Sequence, residues 1–390
     1  MTTTSAASVD AIEEREIAEA NRLHDDADEA LGAGDLARAE RCCREALAVF
    51  ERIDGDNSPD VANLSITLSR ILVASGDRAG AVRAAERAWT ILRPLGDEIP
   101  EVMLLRLLAI QQLGVALREA GDFRAARPLL LRAVRVAEKS FGAESFELAH
   151  ALNNLGILCK YTSRYDEGLA AYDRALAILE RALGPEHPEI ASIHHNLGGL
   201  EHHRGRFEEA AVHAARSLAI REAVLGPEHP TVAADAAAYA AILVELGRHD
   251  EARALYDRAH ATFLRVYGER HYEVAMNTHN LAALDASTGD LARAEAGYRA
   301  ATALFAEAVG EDHADTALAR YNLASLLAMT GRREEATRLC VEARHAFEKA
   351  FGKRHPHVVS TVELLAELEE PARNLGARGA VCRAKYPVRA

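Results

Sequence analysis

The glycines of this 390-residue chain keep a spacing that leaves few folds open. Gly142, Gly184, Gly226, Gly268, Gly310 and Gly352 stand 42 residues apart. The words around them recur as well: LGPEHPEIA at 183–191 returns as LGPEHPTVA at 225–233. A second ruler runs mid-unit through Gly121, Ser163, Gly205, Gly247, Gly289 and Gly331, and Gly34 and Gly76 continue it upstream. The step from Gly76 to Gly121 carries three extra residues, so the period slips near 93–105. A fixed period of this length marks tandem units, each burying its apolar face against the next. The two or three globular domains that the length alone suggests give way to an array.

Each unit reads as a helix pair. Segment 205–226, GRFEEAAVHAARSLAIREAVLG, opens on a glycine turn and closes on one, as helix C-termini often do. At such an end Gly226 is expected in a left-handed conformation, which only glycine adopts without cost. Pro188 then suits the first turn of the next helix and Glu189 its positive end. Ile193, Leu197 and Leu200 recur at three- and four-residue spacing, the mark of one helix face. The chain is 49% hydrophobic, rich in alanine and leucine, and only 5% aromatic. That balance favours closely packed helices over strands.

Small residues give the strongest constraint on packing. Five positions after the mid-unit turn stand Ala39, Ala81, Ala126, Gly168, Ala210, Ala252, Ala294 and Ala336. Seven further on stand Ala46, Ala88, Ala133, Ala175, Ser217, Ala259, Ala301 and Ala343. Twelve before the first series come Ala27, Ser69, Gly114, Gly156, Gly198, Ala240, Ala282 and Ala324. Three such places in successive units imply backbones too close for a larger side chain.

With a large residue between the later two (Tyr172, Tyr256, Tyr298) and a leucine before the glycine-or-alanine series (Leu113, Leu155, Leu197, Leu281, Leu323), the chain resembles the tetratricopeptide repeat. The 42-residue period, the LGPEHP linker and the NNLG helix at 153–156 resemble its kinesin-light-chain branch. The resemblance implies an all-α solenoid, a right-handed superhelix of antiparallel helix pairs with about eight repeats plus a C-terminal capping helix. Residues 1–12 are expected to be disordered. Repeats fall at about 13–54, 55–95, 96–141, 142–183, 184–225, 226–267, 268–309 and 310–351, a capping helix at 352–370 and a basic tail at 371–390.

The resemblance also implies that the first helix of each pair lines a concave, peptide-binding groove. Carried over, that gives a ladder of amides, Asn154, Asn196, Asn280 and Asn322, with Gln112 in the third unit. An amide both donates and accepts, so such a ladder can hold a ligand backbone, or it can bond to the neighbouring repeat. Gln111, Asn153, His195, His279 and Tyr321 are candidates for side-chain discrimination, with Arg118, Lys160 and His202 further along. The sixth unit has Ala238 where asparagine is expected, so its wall is smooth. The stripe is neutral to basic although net charge is −13, which favours an acidic or carboxylate-bearing protein segment as partner. The lysine–asparagine pattern of the carboxylate-clamp co-chaperones is missing.

Other signals are weaker. An acidic chain is a poor match for nucleic acid. The run VMLLRLLAI at 102–110 is too short to span a bilayer, and the first residues, MTTTSAASVDAIEERE, form no secretory signal; a cytoplasmic protein without a membrane partner is expected. The five cysteines have no paired spacing and read as apolar filler. The repeated linker histidines His187, His229, His271, His313 and His355 read as joint residues, and Trp89 as core. His194, His195, His202 and His203 invite a metal site but lack a HExxH or cysteine partner, and no catalytic or cofactor motif is present. The function expected is a non-enzymatic interaction scaffold of open oligomeric state. The alternatives are a regulator that switches on binding a signal peptide, and an enzyme or metal protein with its site near His195 and His202.

Overall fold

The computed structural model describes residues 6–95 and 99–369, and among these it contains seventeen α-helices and no strand. They group into two compact units, Met1–Pro185 and Glu186–Ala390. The first holds α1 (Ala6–Gly32), α2 (Leu36–Ile53), α3 (Pro59–Ser75), α4 (Arg78–Leu92), α5 (Pro100–Glu119), α6 (Phe123–Phe141), α7 (Phe146–Tyr161) and α8 (Tyr165–Leu183). The second holds α9 (Pro188–Arg204), α10 (Phe207–Leu225), α11 (Pro230–Glu245), α12 (His249–Tyr267), α13 (Tyr272–Ser287), α14 (Leu291–Val309), α15 (Ala314–Met329), α16 (Arg333–Phe351) and α17 (Pro356–Glu369). Because α1 begins at Ala6, residues 6–12 are helical rather than disordered. The basic tail expected at 371–390 lies outside the described residues. One helix, α5, is long and apolar enough to cross a membrane, but half of it is buried against its neighbours in the array.

The three series of small residues are buried throughout. A Cβ on Gly156 would lie 2.5 Å from the Tyr172 ring, and one on Gly198 would lie 3.3 Å from the Ala210 carbonyl oxygen. Tyr172, Tyr256 and Tyr298 fill the core between the small positions, with Cys43 and Cys340 in the same register. Burial pushes both thiols up to about 12, which leaves them as inert filler. Trp89 is half-buried rather than fully enclosed, and the Arg132 guanidinium lies over its ring at 5.1 Å. Within the first unit α1 touches α3, α3 touches α5 and α5 touches α7; in the second, α11 touches α13 and α15 touches α17. Contact of that extent does not join successive second helices among the described residues. First helices therefore line the inner side of each stack.

The joints owe their form to two residues. The Nδ1 atoms of His187, His229, His271, His313 and His355 accept the backbone N–H two residues on, at 3.1–3.3 Å, and so cap the N-termini of the following helices. Ser58 and Ser145 do the same work for α3 and α7. The glycine that precedes each histidine differs from expectation. Gly226 has φ 81° but ψ 154°, outside the left-handed helical basin and in a region almost confined to glycine. The mid-unit Gly205, at φ 80° and ψ 16°, is the left-handed one, and in that ruler Ser163 is tolerated at φ 56°. No neighbour crowds Gly226, so backbone conformation alone demands the glycine.

Gly226→Val should cost about 1–3 kcal/mol and Gly205→Asn clearly less, since asparagine tolerates the left-handed basin; urea unfolding of the two variants measures the difference. The caps carry a pH dependence. An accepting Nδ1 requires a neutral ring, and burial holds His271 and His355 below the ordinary histidine value. With the folded value lower, the unfolded chain takes up protons first. The stabilisation is complete above about pH 6.5 and is lost as pH falls through the folded value. His271→Ser, which keeps a capping oxygen, should therefore lose less Tm than the parent between about pH 7.5 and about pH 5.

Candidate interaction face

Along the inner face the amides reach sideways. Asn154 Nδ2 donates to Gln111 Oε1 at 3.1 Å, and Gln112 Nε2 donates to Ser69 Oγ at 3.0 Å. In the second unit Asn322 Nδ2 donates to His279 Nε2 at 2.9 Å. Each bond links residues 43 apart in sequence, one first helix to the one before it. His279 and Asn322 are each only 2% exposed, so this pair, expected to meet a ligand, is instead an inter-repeat fastening. Burial pushes His279 down to about 4, which keeps Nε2 neutral and able to accept. Asn196 and Asn280 are also buried, whereas Gln112, Asn153, Asn154 and Tyr321 remain partly open.

Two cations meet at the C-terminal ends of α5 and α7. Arg118 is 9% exposed; its Nε and Nη2 donate to Glu119 Oε1, while Nη1 is buried without a hydrogen-bond partner. Lys160 is 2% exposed, with Nζ 4.8 Å from the Tyr161 ring centroid. Burial, and the Arg118 charge after it, push the ammonium down to about 8. The Tyr172 hydroxyl is buried nearby, also unbonded. A buried ammonium and a largely covered guanidinium thus share one half-exposed carboxylate, an arrangement that favours an incoming anion.

In the second unit the residue that sequence reasoning missed is Asp235. Its carboxylate is 1% exposed and accepts from Arg221 Nη1 at 2.6 Å, Ser217 Oγ at 2.6 Å and His195 Nδ1 at 2.8 Å. The only signal was an aspartate inside an alanine-rich helix, AADAAAYAAILVEL. This carboxylate fixes the tautomer of His195, whose proton sits on Nδ1. His195, His202 and Ala238 border a cavity of about 10 Å³, room for one water and no larger ligand. His202 packs 5.5 Å from the Phe207 ring, and His194 pairs with His213 at 3.0 Å. No group of three or more His, Cys, Asp or Glu side chains able to hold a metal occurs among the described residues.

Helix pairs of this register, joined every 42 residues, match a known family by sequence. The tetratricopeptide repeat family model covers residues 27–93, 106–167, 157–223, 189–240, 232–307 and 273–349. The chain belongs to the tetratricopeptide repeat family. Its repeats make it a protein-interaction scaffold in outline. No curated protein matches the chain. Among solved structures it is similar to a Rap protein complexed with competence and sporulation factor, at 15% identity over 91% of this chain and 98% of that one, with a TM-score of 0.57. A signal transduction ATPase with a tetratricopeptide repeat sensor, from Pyrococcus horikoshii, shares 16% identity over 94% of this chain and 50% of that one, with a TM-score of 0.55. A kinesin-light-chain-type repeat protein from Podosopora anserina shares 23% identity over 53% of this chain and 96% of that one, with a TM-score of 0.44. At these identities the likeness is one of fold.

The inter-repeat amides predict a stability effect. Asn322→Ala leaves the buried His279 Nε2 without its donor and should cost about 1–3 kcal/mol. Asn154→Ala, half-exposed and open to water, should cost less than about 1 kcal/mol. Urea unfolding with matched circular dichroism baselines compares them.

Proposed function

We propose that the chain is a non-enzymatic binding module that holds an extended, carboxylate-bearing protein segment along its first-helix face. The observation that carries this reading is the pairing of a buried Lys160 with a largely covered Arg118, two cations on successive first helices with Glu119 beside them. A ligand carboxylate placed there meets guanidinium and ammonium donors in a low-dielectric setting, where charge-assisted hydrogen bonds are strong. The partly open Gln112, Asn153 and Asn154 lie on the same helices and supply amide groups to a ligand backbone. Within the second unit, taken by itself, His195 and Tyr321 are partly open on first helices.

A related reading, in which a short signal peptide is the ligand and the array responds to it, is supported by the fold shared with the Rap protein that was solved with competence and sporulation factor. Both readings place a peptide on first helices. They differ in whether helix packing changes on binding.

Selection of random peptides on the immobilised full chain tests the proposal. Selected segments should be enriched in aspartate and glutamate, and Lys160→Met or Arg118→Met should weaken the best of them about tenfold, the worth of one charge-assisted hydrogen bond. Neutral or basic winners, or equal binding by both folded variants, would sink it.

A further inference from the structure

Away from that face, a cleft of ≈ 360 Å³ opens between α5 and α6. Its lining includes four cations, Arg106 from α5 and Arg132, Arg135 and Lys139 from α6, and no acidic side chain among the described residues. Met103, Ile110 and Val136 supply an apolar wall. Elsewhere on α6 two charges are matched across to α8: Arg127 pairs with Glu167, and Glu138 with Arg174. Arg132, Arg135 and Lys139 form no ion pair among the described residues. Such a cluster runs against a chain whose net charge is −13.

The place of the cleft in the fold has a cause. It lies where the period slips, beside the three extra residues near 93–105. There α5 runs for 20 residues, where the first helices α7 and α9 run for 16 and 17. Two of the cations are also held in place. Arg106 Nη1 donates to the Leu95 carbonyl at 3.2 Å, and Arg132 lies over the Trp89 ring, the only tryptophan. Stacking and a main-chain bond leave both guanidinium groups charged and less free to turn away.

We propose that this cleft binds a small polyanion with two or more phosphates and an apolar body, a nucleoside polyphosphate by chemical class. Cations that line a cleft with no acidic side chain among the described residues call for a ligand of several negative charges, and guanidinium groups match phosphate oxygens two at a time. The volume falls within the roughly 300–1,000 Å³ of small-molecule sites. The apolar wall accounts for the non-phosphate part. This site is independent of the first-helix face and of the segment proposed to lie on it.

Titration calorimetry on the full chain, with ATP and with inorganic tripolyphosphate as probes and no added metal, decides the matter. Both should bind at one site, more weakly as salt rises from roughly 0.05 to 0.5 M. Arg132→Glu and Arg135→Glu should each weaken both probes about tenfold or more. These side chains are exposed, so the variants should keep the parent helical signal. Met103→Ser should weaken ATP alone, which separates recognition of the apolar body from recognition of phosphate. Absence of saturable binding up to about 1 mM, or binding unmoved by both charge reversals, overturns the proposal. So does a capped oligoglutamate that binds where both phosphate probes fail, since it assigns the cleft to an acidic protein segment.

Discussion

Close approach of helix backbones is the constraint on which the other features rest. At Gly156 one added carbon would collide with the Tyr172 ring at 2.5 Å, and at Gly198 it would press on the Ala210 carbonyl oxygen at 3.3 Å. Dispersion energy falls off within a fraction of an ångström, so a pair held this close gains contact along its whole length. The small residue recurs at this position in each unit and is buried in each. Large rings such as Tyr172, Tyr256 and Tyr298 then fill the space that the small residues leave between helices.

Stacking the pairs requires joints that turn the chain identically each time. A glycine at the helix end takes a backbone conformation closed to other residues, and a histidine or serine three residues on caps the next helix. The two roles are of different kinds. The glycine answers a torsional demand with no crowding around it, whereas the histidine answers an orphaned N–H. Tyr267 and Phe351 stack on the capping rings of His271 and His355 and tie two of these joints to the preceding helix.

The inner faces are less uniform than the joints. Their amides spend hydrogen-bonding capacity on neighbouring repeats, as in the Asn154–Gln111 and Asn322–His279 pairs. What remains distinctive is charge: the largely covered Arg118 and the buried Lys160 in the first unit, and the Asp235 carboxylate that gathers His195, Arg221 and Ser217 in the second. These are departures from the repeat, as is the cationic cleft beside the period slip. A regular array supplies the scaffold, and its irregular positions supply chemical individuality.

Much of this was legible in the order of residues. Period, helix pairing, small-residue contacts and the joint role of LGPEHP follow from local rules, because glycine torsions, caps and backbone spacing act within one or two units. The capping role of His229 was within reach of the same logic, since it stands directly before Pro230 at a helix start. Tertiary structure alone decided what each polar side chain touches. His279 and Asn322 look like ligand contacts on a helical wheel, yet a 43-residue offset sets them against each other and buries both. Asp235 looks like a stray carboxylate, yet it lies 40 residues from His195 in sequence and 2.8 Å in space. Such pairs depend on the height and rotation of one helix against the next, set by the sum of many small contacts. No single stretch of sequence contains that sum.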